Sequence, residues 1–181
     1  MLDFNQNYFE LFGLSTDFRI DLDELAKRYR DLQKVTHPDK FANASEQAQR
    51  IAMQSATQVN EAFQTLKDPL KRGQYMLQLS GRNANGENLT SSDTEFLMQQ
   101  MALRESLEEA READDPLEEL DSLLEKITHL INEQIARIAV MLDSGTEEDL
   151  DVAMECVYKM QFLKKLYSEA EALESELEDF S

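Results

Sequence analysis

Cysteine, glycine, proline and long apolar runs are all scarce in this chain of 181 residues. The single cysteine, Cys156, excludes an internal disulfide framework and a cysteine-rich zinc site. Five glycines and three prolines are too few for the many tight turns of a sheet-rich fold, whereas Leu, Glu, Ala and Gln are abundant. No apolar run approaches the roughly 20 residues of a membrane-spanning helix. The composition therefore predicts an all-α protein.

Positive charge is also in short supply, with 18 Lys and Arg against 37 Asp and Glu and a net charge of −19. This balance argues against nucleic acid or an anionic membrane as the main partner. Residues 1–90 hold 11 basic and 12 acidic side chains, whereas residues 91–181 hold 7 and 25. The asymmetry predicts two domains with different partners, which we place at residues 1–80 and 91–181 with a linker at 81–90.

The first residues, Met1-Leu2-Asp3-Phe4, lack the basic region and apolar stretch of a signal peptide, so we expect a protein of the reducing cytoplasm. No cofactor and no metal are expected. Cys156 and His129 are isolated metal-ligand types that we place near the core of the second domain, where both are interpreted as structural.

Apolar periodicity predicts helices at residues 7–12, 21–35, 43–67, 69–79, 92–113, 116–144 and 147–177. The expected N-caps include Asp21, Asn43 with Glu46, Ser92 with Glu95, and Asp115. The buried stripe of the second helix is predicted at Leu22, Leu25, Tyr29 and Leu32. Short connections between the last three long helices predict an antiparallel three-helix bundle.

The tripeptide His37-Pro38-Asp39 lies between two predicted helices that form a hairpin. Pro38 has no N–H and disfavours a helical conformation at His37, so the preceding helix must end there. Three interpretations are open: His37 and Asp39 act in catalysis, they cap backbone groups, or the tripeptide is a docking loop. On a helical wheel Lys27, Arg30 and Lys34 share one face, with Arg28 on its flank, and Lys40 extends this basic stripe beyond the turn. The stripe favours docking to an acidic surface.

A second candidate surface lies on the first helix of the acidic half. There, Phe96, Leu103, Leu107 and Ala110 share one face and suffice for a core stripe. Leu97, Met98 and Met101 fall on the far side, bordered by Glu105, Glu108 and Glu112. Either another helix of the chain covers this apolar patch, or the patch binds a partner or a second copy. Phe162 lies off the predicted inward seam of the last helix and is positioned to join the patch.

The short helix, basic helix, His-Pro-Asp turn and long antiparallel helix resemble a J-domain over Tyr8 to about Met76, although Thr36 stands where J-domains commonly carry tyrosine. The resemblance implies docking to a DnaK-type heat-shock ATPase and stimulation of its ATP hydrolysis. The implied contacts are His37, Pro38, Asp39, Lys27, Arg28, Arg30, Lys34 and Lys40.

The whole arrangement, with no Gly/Phe-rich linker and no Cys-x-x-Cys repeat, is similar to the HscB family of iron–sulfur cluster assembly. That resemblance implies an HscA-like chaperone partner and an IscU-like scaffold protein bound by the bundle. The implied scaffold contacts are Leu97, Met98, Met101, Glu105, Glu109 and Phe162; the helical wheel adds Glu108. HscB-like proteins can carry an acid where this chain has Ala102, so we expect the polar rim of this chain to differ there. We expect a non-enzymatic adaptor; the alternatives are a J-protein for unrelated clients and a small helical hydrolase using His37 and Asp39.

Overall fold

A computed structural model describes residues 6–84 and 93–179. Within these ranges the chain forms seven α-helices and one short 3₁₀ helix, so the predicted all-α class is confirmed. The α-helices are α1 (Tyr8–Leu11), α2 (Leu22–Thr36), α3 (Glu46–Lys67), α4 (Pro69–Leu79), α5 (Thr94–Glu112), α6 (Pro116–Ser144) and α7 (Glu147–Asp179). The 3₁₀ helix, Pro38–Phe41, joins α2 to α3. The chain divides into two compact units, residues 1–79 and 80–181. None of the helices in the described ranges has an apolar stretch that could span a bilayer.

The first unit is a hairpin of α2 and α3 on which α1 and α4 pack against α3. Its core holds the fully buried side chains of Phe9, Leu25 and Leu66, with Val59 and Ala62 along the inner face of α3. Tyr8 and Tyr75 stack at 4.4 Å between ring centroids, and the Tyr75 hydroxyl accepts a hydrogen bond from the Tyr8 N–H at 2.9 Å. Distant parts of the sequence thereby hold the short α1 in place, as a four-residue helix requires.

Side-chain caps set most helix starts, and two of the predicted caps need correction. Asp21 accepts from the N–H groups of Asp23 and Glu24, as predicted. The cap of α3 is Ser45 rather than Asn43, because the 3₁₀ helix continues through backbone bonds into Ala42 and Ala44 and delays α3. For α5 the cap is Asp93, whose side chain accepts from the Phe96 N–H. The predicted cap Ser92 lies outside the described residues.

The buried stripe of α2 is shorter than the periodicity predicts. Leu25 is fully buried, and Tyr29 is half-buried with its ring stacked on Phe63 at 4.0 Å. Leu22, however, is 48 % exposed. Leu22 is the first residue of α2, the helix that packs on α3. Because no helical turn precedes Leu22, its side chain is covered from one side only. Buried Thr36 at the other end donates to the Leu32 carbonyl at 2.9 Å.

The second unit is the predicted antiparallel bundle, in which α5 packs on both α6 and α7. The predicted inward face of α5 is confirmed, since Phe96, Leu103, Leu107 and Ala110 are all buried. One continuous cluster joins the three helices around Leu103, Ile127 and Leu166. Gly145 ends α6 in the left-handed region at φ +64°, which glycine adopts without strain, and thereby allows the short turn into α7.

The segment before α5 was predicted as part of a linker at residues 81–90, of which 81–84 are described. Here Arg82 makes ion pairs with Glu147 and Asp151 at the start of α7. Ala84 is buried, and its carbonyl accepts from the Gln161 side chain at 3.5 Å. This described part packs on α7; the linker boundaries themselves stay a prediction.

Candidate protein-docking surfaces

The His-Pro-Asp turn, residues 37–39, lies at the tip of the α2–α3 hairpin, where α2 ends and the 3₁₀ helix begins. All three residues are exposed. His37 serves as the N-cap of the 3₁₀ helix, because its Nδ1 accepts the Asp39 N–H at 3.3 Å. The capping interpretation is therefore supported, and it leaves most of the imidazole at the surface.

The same geometry weighs against the catalytic interpretation. His37 Nδ1 and Asp39 Oδ2 are 3.5 Å apart, but the Asp39 side chain is 90 % exposed. Such a pair in water lacks the low dielectric that strengthens catalytic electrostatics. The neighbouring apolar groove, about 740 Å³ in volume, is lined by Leu32, Val35, Thr36, Phe41 and residues of α3, not by His37 or Asp39.

The basic stripe, defined as Lys27, Arg28, Arg30, Lys34 and Lys40, is exposed except at Arg28. Two of its exposed charges have acidic neighbours on α2, since Lys27 pairs with Glu24 at 3.8 Å and Lys34 with Asp31 at 3.0 Å. The hydrogen bond from Lys34 holds the pKa of Asp31 below its usual value. These pairs are solvated and leave the cations accessible to a second acidic group.

Arg28 has a role that the sequence pattern did not reveal. Its Nε donates to Glu24 at 2.7 Å, and its Nη1 donates to the carbonyls of Phe12 and Gly13 at 2.6 Å each. Gly13 lies at φ +60°, and a Cβ there would come within 2.7 Å of the Arg28 Nη1. Arg28 thus links the loop after α1 to α2. This structural role is separate from the contact with a partner that was predicted for Arg28.

The apolar patch, defined as Leu97, Met98, Met101 and Phe162, combines exposed side chains on α5 with an aromatic ring on α7. Leu97, Met98 and Met101 are 42 %, 62 % and 73 % exposed. Phe162 is half-buried against the bundle core, with its ring edge-to-face against Phe96 at 5.9 Å. Thus α5 buries Phe96 inward and presents unbranched methionines outward, a surface suited to adaptable contact.

The acidic rim of the patch, defined as Glu105, Glu108 and Glu109, is exposed on the same helix. One cation that the sequence analysis missed also lies beside the patch: the Arg104 guanidinium is 5.4 Å from the centre of the Phe162 ring. Arg104 pairs with Glu169 of α7 at 3.5 Å. Because α5 and α7 are distant in sequence, the pattern of α5 alone gave no sign of this contact.

The two isolated metal-ligand types do not meet. Cys156 is buried, as predicted, and burial raises the pKa of its thiol. His129 was predicted near the bundle core, and that prediction is wrong: its side chain is 74 % exposed and pairs with Glu133 at 3.3 Å. Two residues beyond buried Ile127, His129 falls about 200° around α6 and faces solvent. In the described ranges no group of three His, Cys, Asp or Glu residues is arranged to hold a metal ion.

Comparison with known families defines the class of this two-unit protein. Residues 7–75 match the DnaJ domain, which covers the hairpin and its His-Pro-Asp turn, and residues 92–171 match the HSCB C-terminal oligomerisation domain, which covers the bundle. The chain is therefore a J-domain protein whose second unit is of the HscB type.

Whole-chain relatives identify the family. The co-chaperone protein HscB homolog of Shewanella sp. (strain ANA-3) is 44 % identical over 173 residues, which are 96 % of this chain and 99 % of that protein. Chaperone HscB from Vibrio cholerae has a similar structure, with a TM-score of 0.83, 40 % identity and coverage of 95 % of this chain and 99 % of that one. The human co-chaperone HscB gives a TM-score of 0.80 at 28 % identity, covering 94 % of this chain and 83 % of that one. The chain belongs to the HscB co-chaperone family.

Proposed function

We propose that this co-chaperone stimulates the ATPase of a dedicated DnaK-type, HscA-like chaperone and delivers an IscU-like iron–sulfur scaffold protein to it in the cytoplasm. The observation that carries the proposal is the pair of exposed surfaces on two separate units. One is the His-Pro-Asp turn with its basic stripe, and the other is the apolar patch with its acidic rim.

The chaperone half of the proposal follows from charge and exposure. Residues 1–90 are nearly neutral overall, so the clustered cations of the basic stripe give this unit a local positive field. Such a field speeds encounter with an acidic surface and orients it toward the turn. The exposed turn then supplies binding energy that favours the chaperone's hydrolysis-competent conformation, with no nucleotide bound by the co-chaperone itself.

The scaffold half rests on the apolar patch. Three large apolar side chains of α5 are exposed together, next to a half-buried aromatic ring and a carboxylate rim. A central apolar contact surrounded by charged groups is the usual anatomy of a specific protein interface. A compact, preformed patch suits the delivery of a cluster scaffold protein better than the delivery of unfolded clients.

The proposal is tested by replacing Leu97 and Met98 with alanine together. We expect the affinity for the iron–sulfur scaffold protein to fall at least about a hundredfold, because truncating two central contacts removes on the order of 3 kcal/mol. Isothermal titration calorimetry measures the loss, and Val140→Ala, another exposed apolar truncation in the bundle, is the matched control. Undiminished scaffold binding by the double variant would instead favour a J-protein that delivers unrelated clients.

Self-association is the second candidate function of the patch. The family description of the matched C-terminal unit speaks of oligomerisation, and the exposed methionines of α5 are suitable for a contact between two copies. Sedimentation of the wild-type chain separates the two uses. A monomer that binds scaffold assigns the patch to the scaffold, whereas an oligomer that Leu97→Ala with Met98→Ala dissociates assigns it to a second copy.

A further inference from the structure

One lysine of α7 contacts the N-terminal end of α5, next to Leu97 and Met98. Lys159 Nζ donates to Asp93 Oδ2 at 2.6 Å, and only 13 % of the Lys159 side chain is exposed. The other carboxylate oxygen of Asp93 accepts the Phe96 N–H at 3.1 Å as the N-cap of α5. One carboxylate thus joins the helix start to a cation 66 positions further along the chain.

The same ammonium group also lies against the aromatic ring that precedes the patch. Lys159 Nζ is 5.2 Å from the centre of the Phe96 ring, and Phe96 in turn packs edge-on against Tyr158 at 6.3 Å and Phe162 at 5.9 Å. Glu155, one turn earlier on α7, accepts a further contact from Lys159 at 3.5 Å. The cation therefore contacts the cap of α5 and the inward ring of its first turn, and that ring in turn packs on Phe162, which α7 adds to the patch.

We propose that Lys159 is a positioning residue of the scaffold-binding surface: through Asp93 and Phe96 it fixes the register and direction of the first turn of α5 beside Phe162. This inference deepens the proposed function and rests on it for the identity of the partner. Lys159 itself is largely covered, so it acts through the residues it holds rather than by touching the scaffold.

Energetics favour a specific role for this contact over an ordinary surface ion pair. A fully solvated pair contributes little, but here the lysine is largely covered and the carboxylate that it contacts is also the helix cap. Removing the ammonium would break the link from this cap to α7, so the disturbance falls on the N-terminal end of α5, next to Leu97 and Met98. Preorganising an interface in its bound conformation reduces the ordering cost of binding.

The test is Lys159→Met, which keeps the length of the side chain and removes its charge. We expect scaffold affinity to fall about tenfold, as for coupled residues within one network, and hydrogen exchange at the first turn of α5 to quicken. Lys159→Arg restores the cation and should return affinity to within about twofold of wild type. Lys165→Met, on the exposed side of α7, removes the same charge and should change neither readout.

The outcomes separate this inference from the proposed function. Affinity is measured well below the unfolding midpoint, so a merely structural role of Lys159 would lower the midpoint without changing scaffold binding. If Lys159→Met binds scaffold like wild type while Leu97→Ala with Met98→Ala does not, the positioning role is wrong and the proposed function stands. If the wild-type chain fails to bind scaffold, the proposed function is wrong, and unchanged exchange in Lys159→Met would overturn the positioning role as well.

Discussion

At the scale of single residues, burial distinguishes structural groups from groups that are accessible to a partner. His37 uses one ring nitrogen to cap the Asp39 N–H and remains largely exposed. Arg28 commits its donors to two backbone carbonyls and to Glu24, and so stabilises the loop after α1. Cys156 is buried, which makes it a small apolar group of the core rather than a reactive thiol.

The thiol of Cys156 should resist alkylation in the folded chain. Burial raises its pKa above the usual 9.0, so little thiolate forms and reagent access is poor. In the variant Val140→Cys we expect one fast thiol, at the exposed position, and one slow thiol, at Cys156, in a timed iodoacetamide reaction. Two thiols that react equally fast in the native chain would contradict the buried placement.

The same shift fixes the sign of a pH dependence. Since the pKa of Cys156 is higher in the folded chain than in the unfolded chain, the buried thiol contributes stability that is fully present below about pH 9. That contribution is lost as the pH rises through the raised folded value. Urea unfolding of wild type and of Cys156→Ala at pH 8 and at pH 10 measures this contribution. Between the two pH values the free energy of unfolding should fall more for wild type than for Cys156→Ala.

At the scale of helices, apolar periodicity located the elements and the buried face of α5. Phe96, Leu103, Leu107 and Ala110 recur at helical spacing, and all four are buried. Gly145 and Asp115 marked the ends of α6 because their backbone and capping chemistry is local. Leu97 and Met98 depart from that same periodicity, so the sequence of this one helix was enough to place them away from the core.

Contacts between distant residues were beyond the reach of the sequence pattern. The pair Lys159–Asp93 and the contact of Arg104 with Phe162 join helices far apart in the chain, and no periodicity encodes which lysine meets which acid. His129 was predicted near the bundle core, although its position about 200° around α6 from buried Ile127 turns it to solvent. The cap of α3 was misplaced because the length of the 3₁₀ helix depends on bonds formed in the folded turn.

The corrected start of α3 gives a test at this scale. Ser45→Ala should lower the free energy of unfolding by about 1 kcal/mol, because the Ser45 hydroxyl accepts the Ala48 N–H at 3.3 Å. Asn43→Ala is the matched control and should change it by less than about 0.5 kcal/mol. Urea denaturation followed by circular dichroism measures both. A larger loss for Asn43→Ala than for Ser45→Ala would restore the start that the sequence predicted.

At the scale of the whole molecule, two units carry two surfaces of different chemistry. The first is nearly neutral with a cationic stripe, and the second holds almost all of the net negative charge together with the apolar patch. An adaptor that brings a client to an ATPase needs separable contacts, because each partner must be recognised without competing for the other's site. A single polypeptide then raises the effective concentration of one bound partner near the other.

This separation gives the most direct test of the account: ATPase stimulation of the dedicated DnaK-type chaperone, measured with and without the iron–sulfur scaffold protein. His37→Gln should fold normally and bind scaffold with wild-type affinity, yet lose at least about 90 % of the stimulation, since the proposed function assigns the exposed part of the ring to the chaperone and not to the scaffold. Leu97→Ala with Met98→Ala, the control on the other surface, should keep the scaffold-independent stimulation and lose the enhancement by scaffold. Wild-type stimulation by His37→Gln, at full helicity, would contradict the account.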